Sequence, residues 1–457
     1  MNSEQDVPAG NKTDPQPAPG VGIPAGSNSP GSNPRELRRV VLSSFLGSTI
    51  EYYDFLLYST AAGLVFSHVF FAGLPAWAAA MVSFGTLAVG YVARPLGGLL
   101  FGHFGDILGR KKMLLLSMWV MGVASVLIGL LPTTQQIGPM AGALLVTLRA
   151  LQGIAVGGEW GGAVLMSAEH SGRKRRGFSA SWTSSGAPAG TVLGILMFGL
   201  FSAMPEDSFY SYGWRIPFLF SAVLLVVGLV VRHSVSESPV FLKSLELQQA
   251  NQRRKAPVLE IIKRPGTVIK IAVAFTASPA ISLLIPTIAL MYVMKAGADQ
   301  SQVLFATALV LIAQIFTIPA FAALSDRVGR KPIMLAALIA AVFWILAFFP
   351  ALATANLVWI TVVYFCGLAL IQAALLGPLP GFLSEQFRTE ERYTGLSAGY
   401  QLSTLLGGFT PLIITALMGP TLNPVPAVIF LVCVYLTSAA ALLTLRDRRS
   451  EELSEVS

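Results

Sequence analysis

Gly102-His103-Phe104-Gly105-Asp106-Ile107-Leu108-Gly109-Arg110-Lys111-Lys112 is a short, charged, glycine-punctuated stretch between two long apolar runs. A reduced copy, Ser325-Asp326-Arg327-Val328-Gly329-Arg330-Lys331, returns 220 positions later, counted from Asp106 to Asp326. One such stretch reads as an ordinary helix connection. Two, at matching places in two similar halves, read as a duplicated helical bundle whose halves move against each other. Other features agree on the repeat. Glu169 with Arg176-Gly177 corresponds to Glu385 with Arg392 and Gly395, and Arg176 and Arg392 are 216 positions apart.

The chain has 457 residues, 54% of them hydrophobic and 12% charged, against about 25% charged in a typical soluble domain. Its apolar runs repeatedly exceed the roughly 18 to 20 residues that cross a bilayer as a helix. The chain is therefore read as an all-α, polytopic membrane protein. The net charge of +8 does not point to nucleic acid, because the basic residues sit in short loops where they act as topology determinants. Cys366 and Cys433 both fall in apolar runs, so neither a disulfide framework nor a metal site is expected. Residues 1–34 are rich in Pro, Gly, Ser and Asn and lack the apolar core of a signal peptide. They read as a disordered cytoplasmic tail.

Counting apolar runs gives twelve helices. The first six are expected at 40–66, 77–102, 113–132, 139–168, 178–204 and 214–232, and the second six at 267–294, 300–324, 333–352, 356–383, 394–418 and 424–446. This sets a six-helix bundle at 35–232, a polar linker at 233–266, a second bundle at 267–446 and a short tail at 447–457. Lys and Arg cluster before helix 1, after helices 2, 4, 8, 10 and 12, and in the linker at Arg253 to Lys255. Under the positive-inside rule both termini face the cytoplasm of a cell (inner) membrane.

Several motifs resemble the major facilitator superfamily, and within it the metabolite:proton symporter branch that includes shikimate, proline/betaine and dicarboxylate carriers. The two Asp-containing stretches after helices 2 and 8 carry the superfamily resemblance. The branch is marked by Ile50-Glu51-Tyr52-Tyr53-Asp54-Phe55, by Arg94-Pro95-Leu96-Gly97-Gly98 and by the helix 4 string Arg149-Ala150-Leu151-Gln152-Gly153 through Gly157-Gly158-Glu159-Trp160-Gly161-Gly162. Gly213-Trp214-Arg215 and Glu237-Ser238-Pro239 add to it. The resemblance implies a twelve-helix major facilitator fold and proton-coupled transport by alternating access.

Charges inside apolar runs need a reason, since each costs roughly 2.5 to 3.5 kcal/mol at the bilayer centre. At about 1.5 Å rise per residue, Asp54 of helix 1 and Arg149 of helix 4 fall at similar depth, so a direct Asp54–Arg149 contact is expected. A carboxylate beside a guanidinium stays ionised, and one desolvated away from it favours its protonated form. Asp54 and Arg149, with Glu51 as the rival proton site, are therefore the candidates for proton coupling, which is also the role the resemblance implies for the helix 1 acid and helix 4 arginine. Gly105, Asp106, Gly109, Arg110, Asp326 and Arg330 are the gating candidates, with Asp106 capping a helix end or pairing with a base across the halves. Substrate contacts are expected at the midplane between the halves, from Tyr58, Arg94, Gln152, Glu159 and Trp160 in the first and Gln372, Tyr400 and Gln401 in the second. His68 and His103 read as interfacial.

The functional expectation is a monomeric secondary transporter that takes up a small organic acid with protons. A compatible-solute (proline/betaine) importer and a proton-driven efflux antiporter are the alternatives. No nucleophile–base, HExxH or GxxxxGK[ST] pattern occurs, so the chain is not expected to be an enzyme or to use ATP. The partners are then a small substrate, protons and the lipid bilayer, with no nucleic acid, no metal and no cofactor.

Overall fold

The computed structural model describes residues 34–250, 257–263, 265–419 and 421–449. The tails at 1–33 and 450–457, and the basic cluster Arg253 to Lys255, lie outside the described residues. In hydrocarbon an apolar run can satisfy its backbone only through the intrahelical ladder, and the described chain is almost wholly helical. The first helix, α1 (Pro34–Leu64), buries Glu51, Asp54 and three serines. Among the described residues, eleven helices, all of them after α1, are long and apolar enough to cross a bilayer. In the first half these are α2 (Trp77–Leu108), α3 (Arg110–Leu130), α4 (Met140–Glu169), α5 (Arg176–Ser202) and α6 (Glu206–His233). In the second they are α7 (Gly266–Lys295), α8 (Gln300–Val328), α9 (Arg330–Ala353), α10 (Leu357–Ser384), α11 (Arg392–Met418) and α12 (Val425–Thr444). Two short helices, Pro239–Ala250 and Pro257–Lys263, occupy part of the polar stretch between the halves.

The stretch after helix 2 is not a loop. Helix α2 continues through Leu108, α3 begins at Arg110, and Gly109 alone turns the chain with φ of 110°. Gly329 makes the same joint between α8 and α9 with φ of 127°. Only glycine enters that region without a Cβ penalty. The free N-terminal donors of the following helix are met in the same way in both halves. Glu237 accepts from the backbone N–H groups of Arg110 and Lys111, each at 3.2 Å, and Asp447 from those of Arg330 and Lys331, at 3.0 and 3.2 Å. Lys111 Nζ then donates to the His233 carbonyl at the end of α6, at 2.8 Å. Lys331 Nζ donates to Leu443 and Leu445 at the end of α12, at 2.7 and 2.8 Å. The paired basic residues thus tie α3 to α6 and α9 to α12, besides setting topology.

Glycines let α4 approach its neighbours at backbone distance. A Cβ on Gly153 would strike the Gly90 carbonyl, one on Gly157 the Arg94 carbonyl, and one on Gly97 the Ile154 carbonyl. Hydrocarbon offers helices little hydrophobic drive to associate, so such small-residue contact is a main source of cohesion. The halves meet chiefly where α2 crosses α11 and α5 crosses α8, with α4 packing on α10 and α11. The halves differ in regularity. In the first, α1, α2, α4 and α5 are unbroken and α6 has a π turn at Phe209–Gly213. In the second, α7 has a π turn at Ile285–Ala289, α10 has a π stretch at Phe365–Gln372, and α11 restarts at Thr410 ahead of Pro411. Proline and π-bulges are the usual causes of such breaks.

Gly97→Ala is expected to lower the stability of the detergent-solubilised protein by about 1–3 kcal/mol through overpacking. Gly199→Ala, where nothing lies within 4 Å of an added Cβ, is expected to leave it unchanged. Thermal unfolding of the two variants, followed by size exclusion, checks the contrast.

Candidate functional site

A narrow polar cleft, with enclosed room for about one water molecule, lies among α1, α2, α3 and α4. Its lining includes Glu51, Asp54 and Phe55 from α1, Arg94 from α2, Met121 from α3, and Arg149 and Gln152 from α4. All of its lining residues belong to the first half. Two carboxylates and two guanidiniums therefore face one small space, all of them buried. Among the described residues, none of the four is ion-paired to another.

The expected Asp54–Arg149 contact is replaced by a relay. Asp54 accepts from Ser125 Oγ at 2.5 Å and from Ser221 Oγ at 2.6 Å. Gln152 Nε2 donates to Ser125 Oγ at 2.7 Å, and Arg149 Nη1 donates to Gln152 Oε1 at 3.2 Å. Depth along the two helices placed the residues at the same level. Rotation about each axis, which depth does not fix, gives Asp54 to the serines of α3 and α6. Arg149 lies over Tyr58, its guanidinium carbon 4.1 Å from the ring centroid, and 5.3 Å from that of Phe55. Arg94 lies over Tyr91 and Phe55 at 5.0 and 5.1 Å. Phe55 is thus near both guanidiniums. A desolvated cation–π contact gives about 2 kcal/mol or somewhat more, while a buried ion costs several, so both cations lack a full counterpart. Arg149 Nε and Glu51 Oε2 are buried with no hydrogen-bond partner.

The remaining substrate candidates scatter. Glu159 stands outside the cavity lining. Its carboxylate is ion-paired to Arg232 of α6 and accepts from Ser117 at 2.6 Å, a pair inside the first bundle that nothing marked in the sequence. Gln372 accepts from Gln314 Nε2 at 3.0 Å, within the second half. Three candidates do bridge the halves. Trp160 and Tyr400 stack with centroids 3.6 Å apart, and Gln401 Nε2 donates to the Gly157 carbonyl at 3.0 Å. Tyr58 is fully buried, and its ring carries Arg149.

The gating candidates converge on the face that carries the basic residues, in two related clamps. Asp106 of α2 accepts the backbone N–H groups of Tyr393 and Thr394 at 3.2 and 3.0 Å, and the Thr394 hydroxyl at 2.9 Å. It caps the N-terminus of α11 in the other half. A Cβ on Gly105 would enter the Tyr393 ring, so glycine there is what allows the approach. Asp326 of α8 reciprocates, accepting from Gly177 N and Phe178 N at 3.0 and 2.9 Å at the start of α5. Carboxylates suit these positions because helix N-termini present free donors and a positive dipole end. Behind each cap runs a chain of ion pairs. Arg110 reaches Glu169 at 3.2 Å, and Glu169 also accepts from Arg392 at 3.2 Å. Arg330 reaches Glu385 at 2.8 Å and Asp326 at 3.1 Å, and Arg176 reaches Glu385 at 3.0 Å. The reduced second motif makes the fuller clamp, for Arg110 leaves Nε and Nη1 unbonded. Glu169, Arg176, Glu385 and Arg392 served in the sequence only as markers of the repeat. Their matched offset was the signal that could have assigned them here.

The sequence profile of the Major Facilitator Superfamily matches residues 44–411 and 271–456. The chain belongs to the major facilitator superfamily. The shikimate transporter of Escherichia coli (strain K12) is 39% identical over 385 residues, covering 83% of this chain and 88% of that protein. The proline/betaine transporter of the same strain is 30% identical over 431 residues, covering 92% and 85%. Among solved structures, the proton:xylose symporter XylE with bound 6-bromo-6-deoxy-D-glucose superposes with a TM-score of 0.75 at 17% identity, covering 92% of this chain and 98% of that one. The likeness to XylE shows the fold. This major facilitator protein is a multi-pass membrane transporter and not an enzyme.

Glu385→Gln is expected to cost about 3 kcal/mol, because it removes the buried carboxylate that Arg330 and Arg176 share and leaves Arg330 with Asp326. Arg39→Gln, at a surface pair 4.0 Å from Glu36 with Arg39 largely exposed, is expected to cost under about 0.5 kcal/mol. Thermal unfolding of both variants checks the ranking.

Proposed function

We propose that this transporter carries a small organic acid into the cell together with protons, by alternating access across the inner membrane. The observation that supports the reading is the cavity in which Arg94 and Arg149 lack ion-pair partners while Glu51 and Asp54 face the same space. A carboxylate substrate supplies the counter-charge the guanidiniums lack, and the acids supply a proton site. The similarity to a shikimate transporter fits an acid of this kind. The energy comes from the proton gradient and needs no cofactor. The basic face is cytoplasmic by the positive-inside rule.

In this reading Asp106 and Asp326 are the gate. Each holds a helix of the opposite half by donors that separate when the halves part on the cytoplasmic side. Charge-assisted hydrogen bonds of this type contribute about 1.5–3 kcal/mol each, so losing one cap shifts the population toward the cytoplasm-open state.

Uptake into proteoliposomes under an imposed inward proton gradient tests the function, with shikimate, short monocarboxylates, dicarboxylates, proline and betaine as the panel. Gradient-dependent accumulation of an acid is expected. Accumulation of proline or betaine alone would replace the substrate class, and gradient-driven release would reverse the direction. Asp106→Asn is expected to slow turnover about tenfold, equivalent to about 1.4 kcal/mol, with affinity for the accumulated acid within about twofold. A large loss of affinity would place Asp106 in the binding site instead.

A further inference from the structure

We infer that Glu51 is the group that carries the proton, and that the cavity accepts a monocarboxylate with one proton per cycle. The inference rests on the organic-acid reading above and deepens it.

The two helix α1 acids are bonded very differently. Both oxygens of Asp54 already accept a hydroxyl hydrogen, from Ser125 and Ser221. Those partners belong to α3 and α6 of the same half, so parting of the two halves leaves them in place. Glu51 is equally buried, yet its Oε2 has no partner. A protonated carboxyl needs only one acceptor contact or a neutral neighbour, whereas an ionised one in this setting needs donors. Glu51 has the surroundings of a group that changes state, and Asp54 those of one that keeps it.

The charges facing Glu51 fix the stoichiometry. From α2 comes Arg94, from α4 Glu159, and from α6 Arg232. Arg149 of α4 and Asp54 of its own helix share its cavity. From α11 of the other half comes the Tyr400 hydroxyl, and on α1 itself the neighbouring Tyr52, both neutral. Glu159 and Arg232 are paired and cancel. The cavity is left with Glu51 and Asp54 against Arg94 and Arg149, two negative charges against two positive. With Glu51 ionised the sum is zero, and an added anion would leave an uncompensated charge in a low-dielectric interior. Protonation of Glu51 leaves a net charge of one positive, which a monoanion cancels. Proton and substrate then favour each other's binding, reciprocally. A dianion would need a second proton, and the only other acid is the doubly bonded Asp54. Because Tyr400 approaches Glu51 from the second half, the protonation state is also readable by the half that moves.

Calorimetric titration of the purified full chain in detergent, in two buffers of different ionisation heat, counts protons taken up per ligand bound. With shikimate as probe across about pH 7 to 9, the wild type is expected to take up a growing fraction of a proton as pH rises, approaching one per molecule bound at the alkaline end. Glu51→Gln, a neutral stand-in for the protonated side chain, is expected to bind shikimate with no proton uptake and with an affinity that no longer falls as pH rises. Asp54→Asn is expected to retain the uptake wherever it still binds. Succinate is expected to bind the wild type at least about tenfold more weakly than shikimate. Undiminished proton uptake in Glu51→Gln, or equal binding of succinate with a single proton, would overturn the assignment while leaving the organic-acid reading standing. A wild type that binds none of the monocarboxylates would overturn both. Should Glu51→Gln fail to fold, the wild-type proton count and the succinate comparison still decide the stoichiometry.

Discussion

A charge removed from water must be met by another charge or by a full set of hydrogen bonds, and the rest of this structure follows from where that condition is fulfilled. On the basic face it is fulfilled densely. Asp106 and Asp326 each take two backbone donors from a helix of the opposite half, and Glu169 and Glu385 each sit between two arginines. In the cavity it is fulfilled only in part, by aromatic faces, two serines and one amide. The clamps hold a closed seam. The cavity leaves its charges without ion-pair partners. One protein contains both because the first set is shared between halves that separate, and the second belongs to one half alone.

That division matches the regularity of the helices. The charge-bearing helices α1, α2 and α4 are continuous, with α2 and α4 locked at backbone distance by their own glycines and α1 held to α5 by Gly186 and Gly190. A site built on such elements keeps its geometry while the molecule moves. The second half contributes few charges near the cavity but carries the π turns and proline breaks of α7, α10 and α11. Its contacts with the first half include neutral and replaceable ones, the stack of Trp160 on Tyr400 and the bond from Gln401 to Gly157. Continuous charge-bearing helices in one half facing interrupted helices in the other suit a carrier that must bind, occlude and release.

The bundle was legible in the sequence because membrane helices are fixed by length and apolarity, and the repeat by matched polar landmarks. Nine of the twelve spans lie within about four residues of where the apolar runs put them, while α1 and α6 begin earlier and α2 ends later. The end of α2 was misplaced, since a charged stretch looks like a loop until a buried carboxylate is known to be capping another helix. Arg94, Arg149, Gln152, Glu51 and Asp54 were recognisable as residues too costly to bury without purpose, and they do share one cavity. Glu159 looked the same by that criterion, yet Arg232 neutralises it inside the bundle. Ser125 and Ser221 carried no signal, because a serine in a membrane helix ordinarily bonds its own backbone.

The sequence by itself determined the twelve helices, their duplication and which residues carry charge into the bilayer, because each of these follows from composition along one helix axis. Only the tertiary structure decided which charges are paired. Pairing depends on rotation about each axis and on which helices are neighbours, and no pattern along a single helix records either. So Asp54 met two serines instead of Arg149, the acids after helices 4 and 10 became the centres of the clamps, and the cavity came to be lined by one half.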